Sequence, residues 1–144
     1  MDGHGVNKDY EQAFYWYQQS ANQGNPRGQN VLSYCYFNGF GTNKDKDKAL
    51  MWIRKAAEQG NSVAQYNLGR YYSLGIIVNI DYKKAFYWFK LSVEQGDVDA
   101  QYELGNCYHK GIGATIDYDK AKYWYKQAAD QGSARASYEL KYNL

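Results

Sequence analysis

The sequence predicts an all-α protein: an α/α superhelical solenoid of antiparallel helix pairs, about eight helices in all. Three observations carry that prediction. The first is a 36-residue repeat: Trp16, Trp52, Trp88 and Trp124 are evenly spaced, and so are Ala13, Ala49, Ala85 and Ala121. Asp9, Gln23, Gly24 and Leu32 recur on the same step through four copies. The second is that each period holds two stretches with apolar residues at helical spacing, each with one face to bury. The third is the glycine placement. The chain has 14 Gly against a single Pro, and the Gly fall at helix ends, in a loop turn and at one point inside a helix. Self-similarity at such a period is the mark of a stacked array, each copy burying the face of its neighbour.

The first helix of each period opens on an Asp. In the clearest copy Asp81 stands as an N-cap or first-turn acid, satisfying open backbone N–H groups and the positive helix end. Ala85, Trp88, Phe89 and Ser92 then share one face, and Gly96 ends the helix in a left-handed turn. In the first copy this helix spans Asp9 to Gln23. The second helix carries the stripe Ala64, Leu68 and Tyr72. Gly69 lies inside it, at a cost of about 1 kcal/mol relative to Ala. The simplest reason is a close neighbour, with Ala85 or its equivalent opposite. Gly105 repeats the position, Ser33 is also small, and Lys141 breaks it.

The connecting loop follows. Gly39, Gly75 and Gly111 cap the second helix, and Gly41 and Gly113 suit a second positive-φ position. Ile77 replaces that Gly in the middle copy. A β-branched residue is unfavourable there, so this loop is expected to change shape, leaving Ile76-Ile77-Val78 as an apolar tip. The copies run 9–44, 45–80, 81–116 and 117–144. They make one domain, 1–144, expected to be a segment of a longer array.

Composition narrows function. A chain of 144 residues is long enough for a real core. Lys plus Arg is 17 and Asp plus Glu 15, a net charge of +2; this is no footprint for duplex nucleic acid. An aromatic share of 18% argues against disorder. No apolar run approaches the roughly 20 residues that span a bilayer, so no membrane partner is expected. Met1 to Gly5 lacks the basic and apolar regions of a secretory leader, and a cytoplasmic location is expected. Cys107 and His109 are two apart on a helix and point apart, while His4 is remote. Cys35 and Cys107 sit two repeats apart, too far for a disulfide. The run Lys44 to Lys48 lacks the Gly and terminal Glu of a calcium loop. With no nucleophile set either, the expectation is no enzyme, no cofactor and no metal.

The residues Asp81-Tyr82-Lys84-Ala85-Trp88-Gly96 and Ala64-Gln65-Tyr66-Leu68-Gly69-Tyr72-Gly75 resemble the Sel1-like repeat, a relative of the tetratricopeptide repeat. The resemblance covers essentially the whole chain. It implies a superhelix with a concave groove, serving as an adaptor or scaffold for other proteins. The first copy departs from the pattern at Gly28, usually Ala, and Asn30, usually Tyr. Pro26 at a helix start is benign. Tyr36, Tyr72 and Tyr108 match the core, and Tyr82 and Tyr118 are expected to pack on the preceding loop.

Placing Leu68 and Gly69 like their tetratricopeptide counterparts sets the inner face at Tyr66, Arg70 and Ser73. Steps of 36 add Asn30, Tyr34 and Phe37, then Tyr102, Asn106 and His109, then Tyr138 and Tyr142. The expected partner-binding set is Tyr34, Phe37, Tyr66, Arg70, Ser73, Tyr102, Asn106 and His109. Tyr and Arg suit interface hot spots. Arg70 would hold a carboxylate, Asn106 a peptide backbone, and the ligand would be a helix or an extended segment. The alternative is a self-assembling module. Its terminal helices display Phe14 to Tyr17 at one end and Ala136, Tyr138, Leu140 and Tyr142 at the other, inviting association.

Overall fold

The computed structural model describes residues 4–144, with side chains from residue 9 onward. The His4 side chain and the segment before it, read above for a metal ligand and a leader, lie outside the described side chains. Among the described residues there are eight α-helices and no strand. They are α1 His4–Asn22, α2 Pro26–Asn38, α3 Lys46–Glu58, α4 Ser62–Leu74, α5 Tyr82–Glu94, α6 Val98–Lys110, α7 Tyr118–Asp130 and α8 Ala134–Tyr142. The chain forms two compact units, one up to Ala64 and one from Gln65 to Leu144, with the boundary inside α4.

In the first unit α2 begins as the sequence predicts. Asn25 caps it, its Oδ1 accepting from the Arg27 and Gly28 N–H groups at 3.0 and 3.2 Å, and Pro26 follows where no donor is needed. Leu32, Cys35 and Tyr36 of α2 are buried, as are Ala21 of α1 and Ala49, Ile53 and Ala56 of α3. Gly28 replaces the family alanine because a Cβ there would collide with the Ser20 side chain. Ser33 is small and also useful: its hydroxyl donates to the Ala49 carbonyl at 2.7 Å.

One expectation changes in this unit and two hold. Asp9 is not a cap, because α1 already starts at His4. In the later copies the Asp N–H is held by a Tyr carbonyl of the preceding second helix, as Asp45 is by Tyr36 at 2.9 Å. That bond fixes the extended entry from which a cap can act. Asp9 has no such helix ahead of it among the described residues, so its backbone continues as helix. Trp16 is exposed, within the run Phe14 to Tyr17 expected to be displayed, whereas Trp52 is half-buried. Gly41 does adopt positive φ, at 68°, and a Cβ there would also run into the Tyr10 carbonyl and the Phe14 side chain.

The second unit repeats the plan with larger side chains. Asp81 and Asp117 cap α5 and α7, accepting from the Lys84 and Lys120 N–H groups at 3.0 Å each. The close approach at Gly69 is real, but its neighbour is not Ala85. An added Cβ would lie 2.7 Å from the Phe89 ring, and at Gly105 it would lie 2.6 Å from the Tyr125 ring. A ring one turn beyond the alanine is the bulk that needs a backbone without Cβ. Ile77 keeps the left-handed conformation at φ 54°, so its loop does not change shape. The bonds from Ile76 N–H to the Tyr71 carbonyl, 3.0 Å, and from Asp81 N–H to the Tyr72 carbonyl, 2.9 Å, fix both ends of the loop. The strain therefore stays on Ile77. Ile76 to Val78 are half-buried rather than an open tip; Leu74 and Ile80 beside them are exposed. Tyr82 and Tyr118, expected to pack on the preceding loop, are exposed, and the Tyr118 ring meets His109 at 5.8 Å.

A glutamine pair joins successive copies within both units. Gln59 Nε2 donates to Gln29 Oε1 at 2.7 Å, and Gln95 to Gln65 and Gln131 to Gln101 at 2.8 Å. A cationic clip recurs as well: Lys48, Lys84 and Lys120 lie over the rings of Tyr36, Tyr72 and Tyr108 at 5.3 to 5.4 Å.

Candidate inner-face binding site

The stripe Ala100, Leu104 and Cys107 is buried and fixes how α6 is rotated. Tyr102, Glu103, Asn106 and His109 then fall on the neighbouring faces of α6. Glu103, Asn106 and His109 belong to one hydrogen-bonded network within the second unit, and the Tyr102 ring packs beside it, 5.7 Å from the Tyr125 ring. Asn106 Nδ2 donates to Glu103 Oε2 at 3.1 Å, which turns its Oδ1 toward Tyr125, whose hydroxyl donates to it at 2.8 Å. That hydroxyl lies 3.3 Å from His109 Nδ1. A hydroxyl has one proton to give, and Asn106 takes it, so Nδ1 carries the hydrogen and donates. With Nδ1 donating, a neutral ring has Nε2 as its acceptor.

Arg135 of α8 extends the network. Its guanidinium pairs with Asp99 at 2.9 Å and with Glu103 at 3.7 Å and lies 4.3 Å over the Tyr102 ring. The field at this layer is negative. Burial, with Glu139 and Glu103 adding, holds the Tyr125 hydroxyl well above its usual value. Burial and Glu103 push the Cys107 thiol up to about 12, so it stays a neutral thiol.

The expected site residues are placed unequally. Tyr66 and Tyr102 are half-buried, and Arg70 is exposed with its guanidinium 5.8 Å over the Tyr66 ring. The Ser73 hydroxyl donates to the Arg70 carbonyl of its own helix at 3.1 Å. Asn106 is only 7% exposed. Its amide is committed on both sides, so it is not open to a peptide backbone as expected; the Tyr125 hydroxyl below it is what draws it inward. Tyr34 and Phe37 belong to the first unit. Tyr34 is exposed, its ring 5.6 Å from Phe40, which in turn stacks on Tyr10 at 5.5 Å, while Phe37 is half-buried. Asn30, in register with Tyr66, has a buried Oδ1 with no hydrogen-bond partner.

Sequence reasoning missed Asp99, Glu103, Tyr125 and Arg135. A signal was present. Arg27, Val63, Asp99 and Arg135 are equivalent positions that vary between copies, and so are Val31, Asn67, Glu103 and Glu139. Among the described residues no group of three His, Cys, Asp or Glu is placed to hold a metal ion, and no helix is long and apolar enough to cross a membrane.

Helix pairs on a fixed step, joined by capped loops and glutamine pairs, define an α/α solenoid repeat protein. The chain belongs to the Sel1 repeat family, whose pattern matches residues 1–25, 26–61, 62–97 and 98–133. Proteins of this family are in general interaction scaffolds rather than enzymes. Among solved structures the chain is similar to a Sel1 repeat protein from Oxalobacter formigenes. The identity is 40% and the TM-score 0.83, over 87% of this chain and 94% of that one. It is also similar to c5321, a protective antigen of uropathogenic Escherichia coli with the same repeat fold, at 38% identity and a TM-score of 0.83. That match covers 85% of this chain but 26% of the antigen. Helicobacter pylori cysteine rich protein B shares the fold at 24% identity and a TM-score of 0.72, over 94% of this chain and 97% of that one. Among proteins of curated function no significant match is found.

Proposed function

We propose that this chain is a protein–protein interaction scaffold that binds a peptide or protein segment on the inner face of its second helices. The observation that carries the reading is the network from Arg135 through Glu103, Asn106 and Tyr125 to His109. It holds polar groups in place before any partner arrives, which lowers the ordering cost of binding. Among the described residues Arg70 makes no ion pair, and it suits a partner carboxylate. In the first unit Tyr34 offers an exposed ring of the kind that anchors interfaces. The reading takes the array as one module of a longer polypeptide inside the cell; fractionation with an antibody to the array reports both size and compartment.

The test is affinity for a partner isolated with the full chain. Tyr66→Ala with Arg70→Glu should weaken binding at least about ten-fold, the loss of one strong hot spot, with the helical circular dichroism unchanged. Unchanged affinity would sink the inner-face assignment.

Self-assembly is a second reading, favoured by one observation. Tyr17 is 38% exposed, while its equivalents Ile53, Phe89 and Tyr125 are at most 2% exposed. A helix of another chain covering α1 would bury it. Sedimentation of the full-length protein over a range of concentrations decides: a monomer throughout removes this reading.

A further inference from the structure

Within the second unit an open cavity of about 310 Å³ is lined by Tyr102, Ala134, Arg135, Tyr138 and Glu139. Its size is at the low end of ligand sites and fits one side chain better than a whole cofactor. Two of its walls are tyrosine rings. Its charge is set by Glu139, because Arg135 is already met by Asp99 at 2.9 Å and Glu103 at 3.7 Å. Counting those four groups, three carboxylates face one guanidinium, against a net charge of +2 for the whole chain.

The array supplies its own precedent for what such walls hold. Tyr66, Tyr102 and Tyr138 are equivalent positions, one per copy. The Arg70 guanidinium lies over the first ring at 5.8 Å, and the Arg135 guanidinium over the second at 4.3 Å. At the second position two carboxylates join the cation, Asp99 and, at the longer distance, Glu103; Glu139 is the equivalent of Glu103 beside Tyr138. Among the described residues no cation lies over Tyr138, which is 57% exposed. Glu139 has one oxygen engaged, Oε2, which accepts from Asn143 Nδ2 at 2.8 Å. The nearby Lys141 is turned to the Tyr142 ring at 5.0 Å, and the Tyr142 ring packs on Tyr138 at 4.8 Å.

We propose that this cavity binds an arginine or lysine side chain of the partner segment, its cation over the Tyr138 ring and paired with Glu139. The proposal rests on the scaffold reading and specifies one residue of the segment it would bind. A cation held by a ring and a carboxylate repeats, between chains, the arrangement that Arg135 makes within this one.

The experiment is an NMR titration of the full chain with N-acetylarginine methylamide and with the citrulline analogue, which has nearly the same shape and no charge. The arginine probe should shift amides of Ala134, Arg135, Tyr138 and Glu139 saturably. The citrulline probe should bind about three- to five-fold more weakly, the range for an exposed cation on a ring. Glu139→Gln should lower arginine affinity by a similar factor, and Tyr138→Leu likewise, while Asp130→Asn, on another helix, should leave it unchanged. Equal binding of the two probes would overturn the proposal, as would an unaffected Glu139→Gln variant or the absence of saturable shifts in the cavity. The two readings separate cleanly. If Tyr66→Ala with Arg70→Glu abolishes partner binding but the arginine probe does not bind, this inference falls alone. If the probe binds through Glu139 but that variant leaves partner affinity unchanged, the inner-face reading falls.

Discussion

The unit up to Ala64 and the unit from Gln65 solve the same packing problem with different residues. In the first, Ser33 and Ile53 hold the register positions that Gly69 and Phe89, then Gly105 and Tyr125, hold in the second. Where the helix keeps a hydroxymethyl group, the neighbour carries an aliphatic side chain and the hydroxyl finds the Ala49 carbonyl. Where the helix has no Cβ, a ring fills the space. Volume is conserved across the contact while its chemistry changes. One further step, from Phe89 to Tyr125, adds the hydroxyl from which the Asn106 and His109 network grows. A polar site can thus arise at one layer without altering the scaffold that carries it.

The largest test breaks that contrast directly. Asn106→Leu removes the acceptor of the Tyr125 hydroxyl and one of the two partners of Glu103, and should cost about 2–3 kcal/mol in denaturant unfolding. Tyr34→Leu, the register-equivalent change in the first unit, should stay within about 0.5 kcal/mol. Equal losses would mean that the network contributes nothing special. Next, Gly69→Ala should cost about 1–2 kcal/mol by pressing on the Phe89 ring. Adding Phe89→Ile, the first unit's choice, should give less than the sum of the single losses; strict additivity would show that ring and glycine are not coupled.

A smaller effect sharpens what the units share. Gln59→Ala and Gln95→Ala each remove one glutamine pair and should cost about 1 kcal/mol alike. A large difference between them would show that the pairs are not equivalent. The smallest concerns the cap of α6. Burial holds the Asp97 carboxyl above its ordinary value. Its folded state therefore binds a proton more tightly than the unfolded chain, and ionisation lowers stability as pH rises. Asp97→Asn, matching Asn25 and Asn61 in the earlier copies, keeps the cap and should gain up to about 0.5 kcal/mol near neutral pH. That gain should vanish once Asp97 is protonated in acid. Asp81 and Asp117 behave oppositely. The Lys84 and Lys120 N–H groups hold their carboxyls below the usual range, so their support is complete above that range and lost in stronger acid.

Much of this was legible in the sequence. The caps at Asp81 and Asp117, the left-handed Gly39 and Gly113, and the buried stripe of Ala64, Leu68 and Tyr72 follow from local rules that the repeat states several times over. What escaped depends on contacts between residues far apart in the chain. Gly69 announced a close neighbour, but only packing shows the neighbour to be Phe89. Ile77 was judged by its own preference, whereas the bonds on either side of it decide its conformation. Asn106 was placed outward by helical phase, and a hydroxyl on α7 turns it inward. Gln59 and Gln95 showed their period at once; their partners, 30 residues earlier, carried the same period and went unpaired because a spacing names no bond.

The glutamine pairs have a consequence for how such a chain can change over time. Each links a donor to an acceptor 30 residues earlier, and a copy of 36 residues supplies one of each. Duplicating a whole copy therefore adds a donor and an acceptor together, and deleting one removes both. Gain or loss of copies strands no buried amide, so length is a property that recombination can alter in whole steps while every remaining copy keeps its bonds.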